Sequence, residues 1–303
     1  MKNMLKTIVL LLSLLPYIPA FAQTFAITPE TETIGQVVTV ITENYDSLAE
    51  IGRRYGVGAK EMIQANPDID PWAPTPGLVV TVPAQFLLPK GAREGIVINL
   101  AEMRLYFYEP DGKNVSTYPV GIGQEGWDTP LMETTIVKKR EKPTWYVPDS
   151  IWEQHAKRGD PIPHVIPPGP DNPLGDYALN LGFANGRIHG TIPDKAGVGL
   201  RSSHGCIRLL PKDIEVLFKK VQVGTKVRII HAPIKLSKNG ELLLLEAHKP
   251  LTETTFRGSD SVEALIADIA VTAPLGRHYR IDWEMVEKTL KNPNGIPQVI
   301  GAL

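Results

Sequence analysis

One cysteine stands in the whole chain, Cys206, inside Arg201-Ser202-Ser203-His204-Gly205-Cys206-Ile207-Arg208. A second histidine-bearing segment, Arg187-Ile188-His189-Gly190-Thr191, lies just upstream. A thiol becomes a nucleophile only as thiolate, and an imidazole within hydrogen-bond reach can take its proton. Gly205 would let a substrate carbonyl approach the backbone, with the amides around Gly205 and Cys206 facing a developing oxyanion. The chemistry indicated is acyl transfer.

Two other uses of these residues stand beside it. A free cysteine often serves as a small buried hydrophobe. His189, His204 and Cys206 are also zinc-ligand types, although their spacing matches neither C-x-x-C nor H-E-x-x-H. The start of the chain bears on the choice. Lys2 and Lys6, an apolar run from Thr7 to Leu15, and Ala20-Phe21-Ala22 read as a cleavable secretory signal over residues 1–22. The run is shorter than the roughly 20 residues that span a bilayer, so no stable membrane insertion is expected. In an oxidising compartment an unpaired thiol is a liability unless it is buried or used, and the polar, glycine-rich setting of Cys206 favours use.

His189-Gly190-Thr191 and Ser203-His204-Gly205-Cys206-Ile207-Arg208 resemble the signature of the L,D-transpeptidase catalytic domain, a peptidoglycan cross-linking enzyme. The resemblance covers residues 93–232 and extends to Pro119-Val120-Gly121-Ile122-Gly123 and Gly169-Pro170-Asp171-Asn172-Pro173-Leu174-Gly175. Many members carry asparagine two residues after the cysteine; Arg208 stands there instead, a variant associated with Gram-negative envelope members, and the expected location is the periplasm. The resemblance implies Cys206 as nucleophile, His189 as base with its ring held by the Gly190 carbonyl, and His204 beside the oxyanion site. Thr191, Ser203 and Gly205 belong to the substrate side by the same resemblance. Arg208, with Arg201 behind it, has the bidentate geometry for a substrate carboxylate, or for a structural ion pair. The implied donor is a tetrapeptide stem losing D-alanine. The acceptor is a neighbouring stem amine giving a 3→3 cross-link, the lysine of an envelope lipoprotein, or water. None of these transfers needs a cofactor, and acylation by carbapenems is expected. The reading from another class is a non-catalytic peptidoglycan-binding envelope protein that keeps this fold.

The elements that must position these residues follow from pattern. With 27 prolines and 26 glycines the chain should be mainly β, and 32 basic against 33 acidic residues leave no field to attract nucleic acid. Residues 37–84 order as strand, helix, helix, strand, with Asp46 or Ser47 capping the first helix and Gly56 and Asn66-Pro67 as stops. Asp46-Ser47-Leu48, Arg54-Tyr55-Gly56 and Asn66-Pro67 resemble a LysM module, which implies glycan binding, with Trp72 available to stack on a sugar. Pro83 to Gly91 reads as a linker. Ile96, Ile98, Leu105 and Phe107 alternate along a β-hairpin and read as core, while Ile214, Leu217 and Phe218 give a helix covering one side of the sheet. Trp145 and the proline-rich stretch 161–173 read as long loops walling a substrate groove. Pattern alone gives a mainly β chain; the resemblance implies that its catalytic part is a β-sandwich with a short helix, preceded by a βααβ module and followed over 233–303 by a small α/β extension.

Overall fold

The computed structural model describes residues 23–43, 46–192, 197–251, 262–273 and 276–303. The secretory signal expected over 1–22 lies outside the described residues. The molecule is mainly β, and its centre is the hairpin Gly95–Asn99 and Arg104–Tyr108, paired Ile96 to Phe107 and Ile98 to Leu105. Side chains alternate across a strand, so those four residues share one face. That face is buried under helix Pro211–Lys220, which contributes Ile214, Leu217 and Phe218. Each such burial stabilises by about 1.5–3 kcal/mol. The opposite residues, Val97, Tyr106 and Tyr108, pack against the N-terminal unit. A sheet covered on both sides needs apolar residues at consecutive positions, which is why Arg104–Tyr108 is buried throughout.

Nine strands form the main sheet, in the order 23–26, 114–119, 104–108, 95–99, 226–230, 132–141, 177–181, 187–189, 207–208. Two neighbouring pairs are parallel: 226–230 with 95–99, and 187–189 with 207–208. The sheet curls until its ends meet. Beyond strand Asn114–Pro119 the chain reaches Gly121, which exchanges both backbone hydrogen bonds with Arg208 at the far edge (2.8 and 2.9 Å). Ile122–Gly123 then pairs in parallel with Arg201–Ser203. The closure seam therefore falls on the segment that carries Cys206.

Two smaller units flank the sheet. In the first, Val38–Ile41 pairs with Val79–Val82, and helices Leu48–Arg54 and Ala59–Ala65 lie between them. Ser47 caps the first helix in a capping box with Glu50. In the second, strands 234–239, 242–247, 298–302 and 280–281 form a four-stranded sheet with helices Val262–Thr272 and Trp283–Lys291. The stretch expected to be a linker is instead structured: Gln85–Leu87 pairs with Thr33–Gly35, and Phe86, Leu87 and Leu88 are buried. The segment expected as loops after Trp145 contains the strand pair 145–146 with 165–166 and a helix, Asp149–Lys157.

Candidate active site

The parallel register sets Ile188 opposite Ile207 and His189 opposite Arg208. Ile188 and Ile207 both point into the core. Alternation therefore turns His189, Arg208 and Cys206 to the other side, where all three line one cleft of about 300 Å³. Residues 17 positions apart in sequence line the same cleft because two short strands run side by side.

His189 is buried, and its Nδ1 lies 2.6 Å from the Gly190 carbonyl oxygen. A carbonyl can only accept, so Nδ1 carries the proton and Nε2 presents a lone pair. Burial, reinforced by the nearby Arg208 charge, pulls the imidazole down to about 3, against a weaker upward pull from the Gly190 bond. The ring is neutral at physiological pH. Burial likewise pushes the Cys206 thiol up, and the neighbouring Arg187 and Arg208 charges only partly offset this. The resting pair is thiol and imidazole rather than an ion pair, and Sγ points at the Asn185 carbonyl oxygen, 3.6 Å away.

Ser203 fixes the turn before the thiol. Its hydroxyl donates to the Cys206 carbonyl (2.6 Å) and accepts from the Gly205 amide (3.1 Å). Gly205, in the left-handed region at φ +92°, also gives its carbonyl to Thr129 Oγ1 (3.1 Å). Its amide is thus committed to the turn and not to an oxyanion. The Cys206 amide has no hydrogen-bond partner among the described residues, and Cys206 lines the cleft. His204 is half-buried, with Nε2 2.7 Å from Gln154 Oε1 and its ring edge-on to Trp127 at 4.6 Å. With His189 Nδ1 on Gly190 and His204 Nε2 on Gln154, each histidine has one nitrogen already committed.

Helix Asp149–Lys157 and the strand pair 145–146 with 165–166 wall the cleft, and Trp145 lines it as a half-buried aromatic. The wall is tied down by Asn172, whose Nδ2 faces the carbonyls of Pro143, Ile166 and Pro167 at 2.8–3.2 Å. Arg208 lines the cleft with Nη1 on the Ser202 carbonyl (3.1 Å). Thr191 does not line it: it is buried, and its hydroxyl donates to the Ile192 carbonyl. Arg201 reaches the Gly123 carbonyl and Asp128. Arg187, Asn185, Asp171 and His155 line the cleft without having been singled out from sequence. Arg187 was legible, since it sits two residues before His189 on one strand and so shares its face. Among the described residues, one group crowds metal-ligand atoms together, Glu102, Glu246 and His248. It lies away from the cleft, and Lys235 Nζ already sits between its carboxylates (2.8 and 2.6 Å).

The family described as the YkuD L,D-transpeptidase catalytic domain matches residues 93–229. "Probable L,D-transpeptidase YcfS" of Escherichia coli K12 is 46% identical over 244 residues, which are 78% of this chain and 76% of that protein. "Probable L,D-transpeptidase YbiS" of the same strain is 40% identical over 266 residues, 86% of each chain. The solved catalytic domain of an E. faecium L,D-transpeptidase is 22% identical, with a TM-score of 0.36 over 47% of this chain and 100% of its own.

Proposed function

Because the chain belongs to the L,D-transpeptidase family, we propose that Cys206 is the nucleophile and His189 the base of its peptidoglycan cross-linking reaction. The observation that carries this is the Gly190 carbonyl on His189 Nδ1, which leaves Nε2 unprotonated in the cleft that holds the thiol. As a donor stem enters, Sγ attacks the carbonyl between the third-residue L-centre and D-alanine, and Nε2 takes the thiol proton. The Cys206 amide supports the oxyanion. The imidazolium then returns its proton to the leaving amine, D-alanine departs, and a thioester remains. An amine attacks the thioester, neutral His189 takes the amine's proton, and the thiolate leaves to be reprotonated. No metal or organic cofactor is required for either half.

Arg208, desolvated beside Cys206, is the group proposed to hold a stem carboxylate, with Trp145 as the apolar wall. The acceptor is a stem amine, giving a 3→3 cross-link, or the lysine of an envelope lipoprotein. The N-terminal unit is proposed to be a LysM-like glycan binder, with Trp72, 78% exposed, as its stacking platform. The reaction is placed in the periplasm after removal of residues 1–22, and among the described residues no helix is long and apolar enough to cross a membrane.

Mass spectrometry of residues 23–303 incubated with disaccharide-tetrapeptide, with and without a lysine-terminated peptide, tests the reading. A dimer lacking one D-alanine identifies 3→3 cross-linking, and an adduct seen only with the lysine peptide identifies lipoprotein anchoring. Cys206→Ala should lower either yield by at least about 10³-fold. Equal product from both proteins would overturn the assignment, and absence of any product or carbapenem adduct would favour a binding protein.

A further inference from the structure

We infer that the N-terminal unit positions the catalytic loop, through a main-chain seat formed by Gly58 and Gly199. The inference rests on the reading of Cys206 as nucleophile. The first turn of helix Ala59–Ala65 lies directly on the loop that leads to Cys206. The Lys60 amide donates to the Gly199 carbonyl (3.2 Å), and Gly199 has φ +74°. A Cβ on Gly199 would stand 2.5 Å from the Ala59 nitrogen and 2.7 Å from Gly58 Cα. Backbone meets backbone: Gly199 has no room for a side chain, and Gly58 has little.

The seat is fixed from both sides by the catalytic sheet itself. Glu61 accepts from the Gly58 amide (2.6 Å) and is held bidentately by Arg104, with both side chains buried. Arg104 follows Met103, whose carbonyl accepts from the Val120 amide (2.8 Å), and the Val120 carbonyl accepts from the Gly199 amide (3.1 Å). A closed circuit therefore runs from Arg104 through Glu61, Gly58, Gly199 and Val120 back to the residue beside Arg104. From Gly199 the loop continues through Leu200, whose carbonyl takes the Ile122 amide, to Ser203, whose carbonyl takes the Gln124 amide. Ser203 then sets the turn at Gly205 and Cys206. Displacing the helix turn displaces the thiol.

This coupling involves no glycan, so it acts on a short soluble donor as on the polymer. The probe is Gly58→Ala in residues 23–303. Gly58 has φ −76° and ψ 157°, which alanine adopts without strain. Its added Cβ would stand 3.0 Å from Gly199 Cα and 3.0 Å from Glu61 Oε2. A 1 Å misplacement can cost about 100-fold in rate, so a shift of tenths of an ångström should slow single-turnover D-alanine release by about 3- to 30-fold. The half-saturating donor concentration should not change. Ser47→Ala, which removes the exposed cap of the other helix, lowers the melting temperature without touching Gly199 and serves as the stability control. Slow release in Gly58→Ala with a wild-type rate in Ser47→Ala supports the inference. Wild-type rates in both, or losses that simply follow the melting temperature, overturn it. Alkylation of Cys206 by iodoacetamide in the same samples reads the loop without turnover. If even the wild type releases no D-alanine, the proposed function fails, while equal alkylation rates in wild type and Gly58→Ala would separately overturn the coupling.

Discussion

At the scale of the residue, the cleft holds a base that stays neutral and a thiol that stays protonated until substrate arrives. His189 is held down to about 3 by burial, so its ring stays unprotonated throughout the mild acid range. The second-order rate of carbapenem acylation is expected to stay level as pH falls from 7 to 5; a tenfold drop across that window would show a base with an ordinary histidine pKa. The thiol is pushed the other way by burial, so alkylation of Cys206 by iodoacetamide should be slow at pH 7 and climb through a midpoint higher than that of an exposed cysteine. Arg187→Ala should move that midpoint higher still, since the Arg187 charge favours thiolate. Cys206 and His189 were legible because few residue types perform this chemistry and both stand among glycines. The task of Gly205 was not. A glycine before a nucleophile reads as an open amide, and only the Ser203 hydroxyl shows that this amide is already used.

At the scale of the element, the wall of the cleft is a helix tied to the segment bearing the thiol by a polar link. Gln154 is the residue of helix Asp149–Lys157 that meets His204, at 2.7 Å. Gln154→Ala should loosen that helix, seen as faster amide hydrogen exchange over 149–157 and a several-fold faster alkylation of Cys206, with the exchange of helix Pro211–Lys220 unchanged. The contrast between these two helices shows what pattern carries. Pro211–Lys220 was readable because Ile214, Leu217 and Phe218 repeat at helical spacing against a core. Asp149–Lys157 buries only Ile151, so its sequence has no stripe to read. Strand alternation identified the hairpin through Ile96, Ile98, Leu105 and Phe107. It could not identify Gln85–Leu87 as a strand, because a strand of three residues carries too short a pattern, and their burial comes from units distant in sequence.

At the scale of the whole molecule, the three units are joined by buried charge. Lys235 Nζ, from the C-terminal unit, lies 2.8 Å from Glu102 of the catalytic sheet, 2.6 Å from Glu246 and 2.7 Å from the Leu87 carbonyl. Tyr106 donates to Glu102 as well. Burial alone would drive the Lys235 ammonium down, but the two carboxylates outweigh it and hold its pKa above the ordinary range. Burial pushes Glu246 up, yet Lys235 draws it below its usual value. A lowered carboxylate stabilises above its unfolded pKa and loses that contribution in acid, while a raised lysine loses its contribution only in strong alkali. The junction therefore holds across neutral pH and weakens below about pH 4 to 5. Lys235→Ala, which leaves two buried carboxylates without their cation, should cost about 3–5 kcal/mol in denaturant unfolding. No local pattern announces such a junction, because Lys235 stands 133 residues from Glu102 and 148 from Leu87 in the chain. The same distance governs the sheet. Strand Gly95–Asn99 finds its parallel neighbour only in Lys226–Ile230, which also completes the ladder on Met132–Thr135. Made N-terminus first, the chain carries these bare strand edges until about 130 more residues have followed, so the central sheet closes late in synthesis and its edges stay open to wrong partners until then.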